Sequence, residues 1–367
     1  MNIPYVDLSK QYLKESKPLL KKIDAVLKSG NYVGGDEVIK FEKKISKLLN
    51  IKHCIALNSG TDALTLGLYA LGVRKNDEVI TTANSFIAST AVIVHLGAKP
   101  VFVDVKSDQL IDPDLIEKSI TNKTKAIMVV HLTGRVCEMD KILKIAKKFN
   151  IPIIEDAAQS IGSMYNNQYA GTFGKIGCFS AHPLKNLNAL GDSGYLTTNS
   201  SKIAKLLRDI RSHGMRNRNK VKNFGYVSRM DNLQAGILNF RLKYLNKIII
   251  KRRENANIYF KHLNKKKIFI PEESKKEFNT YHTFVIQVKK RNELQKYLKK
   301  NAIGTAVHYP IPIHMQPAYK KLKYKTKKLP QTEKQAKEII TLPIHQYLKR
   351  REIIKICKVI NKFYENK

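Results

Sequence analysis

The run Ile151-Pro152-Ile153-Ile154-Glu155-Asp156-Ala157-Ala158-Gln159-Ser160 closes an apolar stretch on two acids and passes into small and polar residues. A run this short and this apolar reads as a buried strand, and the small residues after it as the loop at its carboxyl end. The same pattern repeats upstream. His53-Cys54-Ile55-Ala56-Leu57 is a strand that turns at Asn58-Ser59-Gly60-Thr61-Asp62 into a helix carrying Leu64, Leu68 and Leu71. Further strands fall at Glu78 to Thr82, Pro100 to Asp104 and Ala126 to His131, with helical segments over Ser85 to Leu96, from Asp112 to about Ile120, and over Met139 to Phe149. Apolar strands separated by helices predict an α/β fold with a mostly parallel sheet covered on both faces. In such sheets ligands sit beyond the carboxyl ends of the strands, which is where Asn58 to Thr61, Ser85-Phe86 and Asp156 fall.

Ahead of the first strand, Ser16 to Lys28 and Glu37 to Leu49 read as helices. Downstream of the central run come Ser180-Ala181-His182-Pro183-Leu184-Lys185-Asn186, Gly191-Asp192-Ser193-Gly194, a strand at Tyr195 to Thr198 and a helix over Ile203 to Arg211. Met215 to Val227 is a basic, Gly-interrupted loop, and Arg229 to Ala235 opens a long helix through Leu242 and Leu245 to Arg252-Arg253. The domain change is expected within that helix: residues 1–245 form a large domain and residues 246–367 a smaller α+β domain. In the second unit, Thr283 to Val288 and Ala306 to Pro310 read as strands, Asn292 to Lys300 and Glu352 to Phe363 as helices, with a proline-punctuated loop reaching His314.

A chain of 367 residues with 43% hydrophobic content exceeds the size at which a single core stops growing. It carries no apolar run of membrane-spanning length, and Met1 to Asp7 lacks the basic and apolar segments of a signal peptide, so a soluble cytoplasmic protein with no membrane partner is expected. The four cysteines are scattered without a C-x-x-C pair, which indicates neither a metal site nor a disulfide framework. A net charge of +37, from 67 basic and 30 acidic residues, first suggests a polyanion. Its distribution argues against nucleic acid. Lysine dominates and is dispersed, and the densest runs, Lys265 to Lys267 and Lys320 to Lys328, lack stacking aromatics apart from Tyr324.

An acid ending a strand and a lysine in a later loop can serve one cofactor. Pyridoxal 5'-phosphate needs this pair: Lys185 for the Schiff base, and Asp156 to keep the pyridine nitrogen protonated so that the ring draws electrons. Lys185 must then act as a free amine, its pKa lowered by burial. Gln159 is in reach of the ring hydroxyl, Phe86 offers a stacking face, and Gly60, Thr61 and Ser180 offer phosphate donors at a helix start. Ordinary roles compete with each assignment: Ser-Gly-Thr is also a common helix cap, Phe86 can be core, and His131 reads best as a satisfied core histidine. His308 and His314 lack nearby acids or cysteines for a metal and read better, with Tyr309, as substrate contacts.

These residues resemble the DegT/DnrJ/EryC1/StrS family of sugar-nucleotide aminotransferases, over essentially Ile3 to Phe363. The likeness rests on Tyr32 to Gly35, Asn58 to Leu64, Asp77 to Ile80, Gly97 to Asp104, Glu155 to Gly162, Lys185-Asn186-Leu187, Gly191-Asp192, Ser228 to Asp231 with Gln234-Ala235, and His308-Tyr309-Pro310. The resemblance implies the fold-type I aminotransferase architecture and a homodimer with its active site at the subunit interface. It implies Lys185, Asp156, Gln159, Phe86, Gly60, Thr61 and Ser180 in the cofactor roles above, with glutamate as donor and a keto sugar on a nucleoside diphosphate as acceptor. Relatives with histidine at the lysine position are dehydratases, so Lys185 favours transamination. The alternatives are dehydration or cyclitol transamination on the same cofactor, and a polyanion-binding or regulatory relative without catalysis. This chain departs from the family's usual pattern at Ala181, at Ser193 and at Val227, the last placing a cross-subunit phosphate contact in question, for which Asn223 and Asn232 are the candidate substitutes.

Overall fold

The structure is a computed structural model and describes residues 2–217, 219–325 and 327–365. Helices α1 (Leu8–Lys28) and α2 (Asp36–Leu49) precede strand β1 (His53–Leu57) and helix α3 (Gly60–Ala70). Then follow β2 (Glu78–Thr82), α4 (Ala88–His95), β3 (Lys99–Val103), β4 (Thr124–Val130), α5 (Met139–Lys148) and β5 (Ile153–Asp156). Two short strands, β6 (Met164–Tyr165) and β7 (Gln168–Tyr169), lead to β8 (Ile176–Ser180), β9 (Gly194–Thr198) and α6 (Ser201–Ile210). A small hairpin of β10 (Met215–Asn217) and β11 (Lys220–Val221) precedes α7 (Asn232–Arg241) and α8 (Leu245–His262). The chain closes with β12 (Ile268–Phe269), β13 (Glu277–Phe278), β14 (Phe284–Val288), α9 (Arg291–Lys300), α10 (Pro317–Lys320), α11 (Pro330–Glu338), β15 (Ile339–Leu342) and α12 (Arg350–Glu365).

Seven strands form one sheet in the order β1-β9-β8-β5-β4-β2-β3, in which β9 alone runs against the rest. Side chains alternate between its faces, as strand geometry requires. Cys54, Ala56, Ile80, Ile127, Val129, Phe179 and Tyr195 enter one apolar cluster, with Phe41 and Ile45 of α2. Their neighbours Ile55, Leu57, Val79, Met128, Ile154, Cys178 and Leu196 enter another, with Leu64 and Leu68 of α3 and Leu207 of α6. A third cluster joins Phe284, Ile286, Ile340 and Leu342 of the small sheet β12-β14-β15 to Leu294, Leu298, Ile353, Ile356 and Ile360. Ile3 of the N-terminal segment packs into this third cluster and bridges to Ile303. Helix α8 spans both regions, Leu245 and Ile249 packing in the first cluster and Ala256 and Tyr259 in the third.

Several local expectations are corrected. α1 starts at Leu8 rather than Ser16, because Asp7 caps it by accepting from the Lys10 N–H at 2.9 Å, and Pro18 is accommodated inside. Asp112 to Ile120 forms two 3₁₀ turns, Pro113–Leu115 and Glu117–Ser119, rather than a helix. The long helix from Arg229 is interrupted by a 3₁₀ turn at Leu242–Tyr244. Ala306 to Pro310 is not a strand: only Ala306 pairs, with Thr341 of β15, a strand too short to stand out between helix and proline. Met215 to Val227 contains the β10–β11 hairpin, and Arg218 within it lies outside the described residues.

Candidate active site

After β1, Ser59 stays extended (φ −156°, ψ 161°) and accepts from the Asp62 N–H at 3.1 Å, starting α3 at Gly60. The cap takes the Asp62 N–H and leaves the N–H groups of Gly60 and Thr61 to face a ligand. Two glycines make the approach possible. A Cβ on Gly60 would lie 2.7 Å from Cβ of Ser180 at the end of β8, and one on Gly194 would lie 2.2 Å from the Ser59 carbonyl carbon. Bare backbone here lets the helix start, the β8 end and the β9 start close into a cradle whose donors are N–H groups and the hydroxyls of Thr61 and Ser180.

At the end of β5, adjacent acids point to opposite faces. Glu155 is fully buried and accepts from His131 Nε2 at 2.9 Å and from the N–H groups of Gly171 and Gly174 at 2.7 and 2.6 Å. His131 Nδ1 accepts from the Cys137 N–H at 3.2 Å, so the imidazole is a satisfied core group. Asp156 turns to the cleft. Its Oδ2 accepts from Ser89 Oγ at 2.7 Å and its Oδ1 from the Ala158 N–H at 3.2 Å. Gln159 Oε1 accepts from the Thr133 N–H at 2.8 Å, which fixes the amide so that Nε2 faces the Tyr309 hydroxyl at 3.4 Å. A group arriving at that end of Gln159 meets a donor.

The β8–β9 loop carries Lys185. It is tied by the Ala181 N–H to the Ser193 carbonyl (2.7 Å), the Ala189 N–H to the Ala181 carbonyl (2.8 Å) and Asn188 Nδ2 to the Pro183 carbonyl (2.7 Å). Burial lowers Lys185 from 10.5 to about 8, with the charge of Asp156 acting to raise it. Lys185, Asp156, Gln159, Gly60, Thr61, Ser180, Phe86, His308 and Tyr309 all line one cleft of about 360 Å³. Phe86 is 56% exposed, its ring 6.1 Å from that of Tyr309, so an aromatic face is open to a planar ligand. His314 is not brought there. It packs 6.3 Å from the Phe102 ring and sits 3.2 Å from Glu333, because the loop before it turns away from the cleft into a separate apolar cluster with Ile313 and Tyr319.

Among the lining residues to which the sequence reading gave no role are His182, His282 and Asp192. His182 and Asp192 lay inside the quoted stretches, whereas His282 sits just before β14 in a stretch without a motif. Burial first, then the positive charges of Lys185 and Arg252, hold His282 well below its usual value. Burial and Lys185 likewise lower His308 to about 4. The part of the cleft lined by His282 and His308 thus carries neutral imidazoles beside a lysine. Among the described residues, no group of three or more His, Cys, Asp or Glu side chains is arranged to hold a metal, and no helix is long and apolar enough to cross a membrane.

The sequence profile described as the DegT/DnrJ/EryC1/StrS aminotransferase family matches residues 14–361. The chain belongs to this family. It is 39% identical to a pleiotropic regulatory protein of Geobacillus stearothermophilus, spanning 100% of each chain. It is also 39% identical to the dTDP-3-amino-3,6-dideoxy-alpha-D-galactopyranose transaminase of Aneurinibacillus thermoaerophilus, over 98% of this chain and 99% of that one. The solved structure of S. venezuelae DesV in complex with a ketimine intermediate superposes with a TM-score of 0.96 at 33% identity, covering 99% of both chains. The fold is that of these aminotransferases, with a large mostly parallel sheet.

The family-level departures have local explanations. Ser193 is 1% exposed and turns its hydroxyl onto the Asp192 carbonyl at 2.6 Å, at a backbone that does not need glycine. Ala181 is fully buried beneath the lysine loop. Val227 is 56% exposed and offers no polar group. Asn232 is buried and its side chain is engaged within the chain, accepting from the Glu37 N–H at 3.1 Å and donating to the Asn31 carbonyl at 2.8 Å. Asn223 is exposed.

Proposed function

We propose that this chain is a pyridoxal-phosphate-dependent aminotransferase that moves an amino group from glutamate to a keto sugar carried on a nucleoside diphosphate, for amino-sugar biosynthesis. The observation that carries this is the convergence of the Lys185 amine and the Asp156 carboxylate on one cleft whose wall is the start of α3. The residues fit the cofactor: a glycine-lined cradle for its phosphate, a fixed amide donor at Gln159, an acid at Asp156 and an exposed ring at Phe86. When bound, pyridoxal phosphate supplies an aldehyde that condenses with amines and a ring that withdraws electrons.

The protein's own groups do the rest. The N–H groups of Gly60 and Thr61 and the dipole of α3 would hold the phosphate. Asp156, held on both oxygens by donors, presents its carboxyl group at the cleft floor. Lys185, with a pKa of about 8, has a far larger free-amine fraction near neutral pH than an ordinary lysine and can both attack and accept a proton. His282 and His308 line the cleft without adding charge. A homodimer with a shared active site and a cytoplasmic location complete the reading; the half-exposed Tyr32, Val33, Leu184, Leu190 and Val227 support a subunit contact.

The test is reconstitution with pyridoxal phosphate followed by half-transamination with L-glutamate and product analysis on candidate nucleotide-linked keto sugars. Wild type is expected to give the absorption band of a lysine–cofactor Schiff base, which glutamate bleaches, and Lys185→Arg to lack that Schiff-base band. A Schiff-base band that survives Lys185→Arg would sink the assignment.

A further inference from the structure

Asp156 is held by a chain of two hydroxyls that nothing above assigns to the chemistry. α4 follows directly from the Ser85-Phe86 turn, and its second residue, Ser89, brings its Oγ 2.7 Å from Asp156 Oδ2. Ser85 Oγ lies 2.6 Å from Ser89 Oγ and 3.0 Å from the Phe86 carbonyl oxygen. Asp156, Ser89 and Ser85 are 6%, 0% and 3% exposed, so the chain is closed off from bulk solvent.

Proton counting decides its direction. The two serines own two hydroxyl protons, while the three contacts require one each. With Asp156 ionised, Ser89 must donate to Oδ2, and the short Ser85–Ser89 contact takes the Ser85 proton. The Phe86 carbonyl is then left without it. With a proton on Asp156 the chain reverses: Asp156 donates to Ser89, Ser89 to Ser85, and Ser85 to the Phe86 carbonyl. The charge on Asp156 is therefore coupled, through two hydroxyls, to the backbone of the residue that presents the exposed ring. Hydrogen bonds to charged acceptors are the stronger kind, so Ser89 favours the ionised state.

We propose that the Ser85–Ser89 pair is a positioning device that holds Asp156 ionised and facing the cleft, and thereby sets how strongly the cofactor ring draws electrons. This rests on the cleft being a pyridoxal phosphate site. The other ionisable groups that face Asp156 are Lys185 and Cys178 from the neighbouring strand and its loop, and Tyr309 from the small-domain side. The serines do not titrate in the working range, so their effect appears as a displaced midpoint rather than a new one.

The experiment compares Ser89→Ala, Ser89→Thr and Ser85→Ala, each reconstituted with pyridoxal phosphate. The readouts are an absorbance titration of the bound cofactor against pH and the rate of half-transamination with L-glutamate. Ser89→Ala is expected to raise the absorbance midpoint by about one pH unit and to slow the half-reaction about tenfold, the size of one lost hydrogen bond to a charged group. Ser85→Ala moves both in the same direction by less, and Ser89→Thr, which keeps the hydroxyl, restores both. The midpoint does not depend on how much of the protein is folded, so a purely structural lesion leaves it in place. An unmoved midpoint in Ser89→Ala, or an equal displacement in Ser89→Thr, overturns the proposal and leaves the aminotransferase reading standing. A wild-type protein that binds no pyridoxal phosphate overturns both.

Discussion

Lys185 is costly to the folded state and useful for the same reason. Its folded pKa, about 8, lies below the ordinary 10.5, so the folded protein holds the proton less tightly than the unfolded chain does. Between those values the unfolded state binds more protons and stability rises with pH; below about 8 the full penalty applies, and above about 10.5 it is gone. Lys185→Met is therefore expected to stabilise the cofactor-free protein by about 2 kcal/mol at pH 7, with the gain fading by pH 10.5 while cofactor binding is lost. Urea denaturation at the two pH values checks it, and a gain of equal size at both would mean that charge is not the cause. The lysine itself was legible from its loop of small residues. Its lowered pKa was legible only as a requirement, because the burial that lowers it comes from chain segments far away in sequence.

Elements are joined at their ends by side chains that sequence reasoning saw only as punctuation. Asp104 ends the β3 run, and in the fold its carboxylate accepts from the Gln331 N–H at 2.9 Å, the Thr332 N–H at 2.8 Å and the Thr332 hydroxyl at 2.6 Å. α11 has no capping side chain of its own, since Leu329 stands at its N-cap, so β3 supplies the cap from 228 residues away. Removing it with Asp104→Ala is expected to cost about 2 kcal/mol, and Asp104→Asn about half that, measured by urea denaturation. An unchanged midpoint in Asp104→Ala would show that the cap is made elsewhere. The same long-range logic explains why β6, β7, β12, β13 and β15, of two to four residues, escaped notice: each is defined by its partner rather than by its own pattern.

For the molecule as a whole, apolar side chains remain uncovered around the cleft. Tyr32 and Val33 lie beside the start of α7 through the Asn232 N–H to Tyr32 carbonyl bond and the Val33–Asp231 bridge, and Leu190 joins them through its N–H to Gln234. Leu184 and Phe86 line the cleft itself. Sedimentation is expected to give twice the chain mass at micromolar concentration, and Leu190→Asp to shift the equilibrium toward monomer with a parallel loss of activity. A monomer that retains full activity would remove the shared site from the proposed function. The charge of +37 is spread over the surface, with Lys265 to Lys267 bordering an open hollow of about 740 Å³ away from the cleft.

The sequence alone determined the α/β class and brought Lys185, Asp156 and Gln159 forward as candidates, because buried strands have short apolar runs and ligand-facing loops sit at their ends whatever the surroundings. It also carried the family, through motifs whose residues are contiguous. Which of those residues share a cleft was decided by tertiary packing: His308 and Tyr309 swing in, His314 turns away onto Phe102, and His282 arrives without any motif. The hydroxyl chain from Asp156 through Ser89 to Ser85 joins residues 67 positions apart at its longest step. Proximity of that kind is a property of the packed sheet and helices, since a local pattern fixes which face a side chain is on but not what the fold brings opposite it.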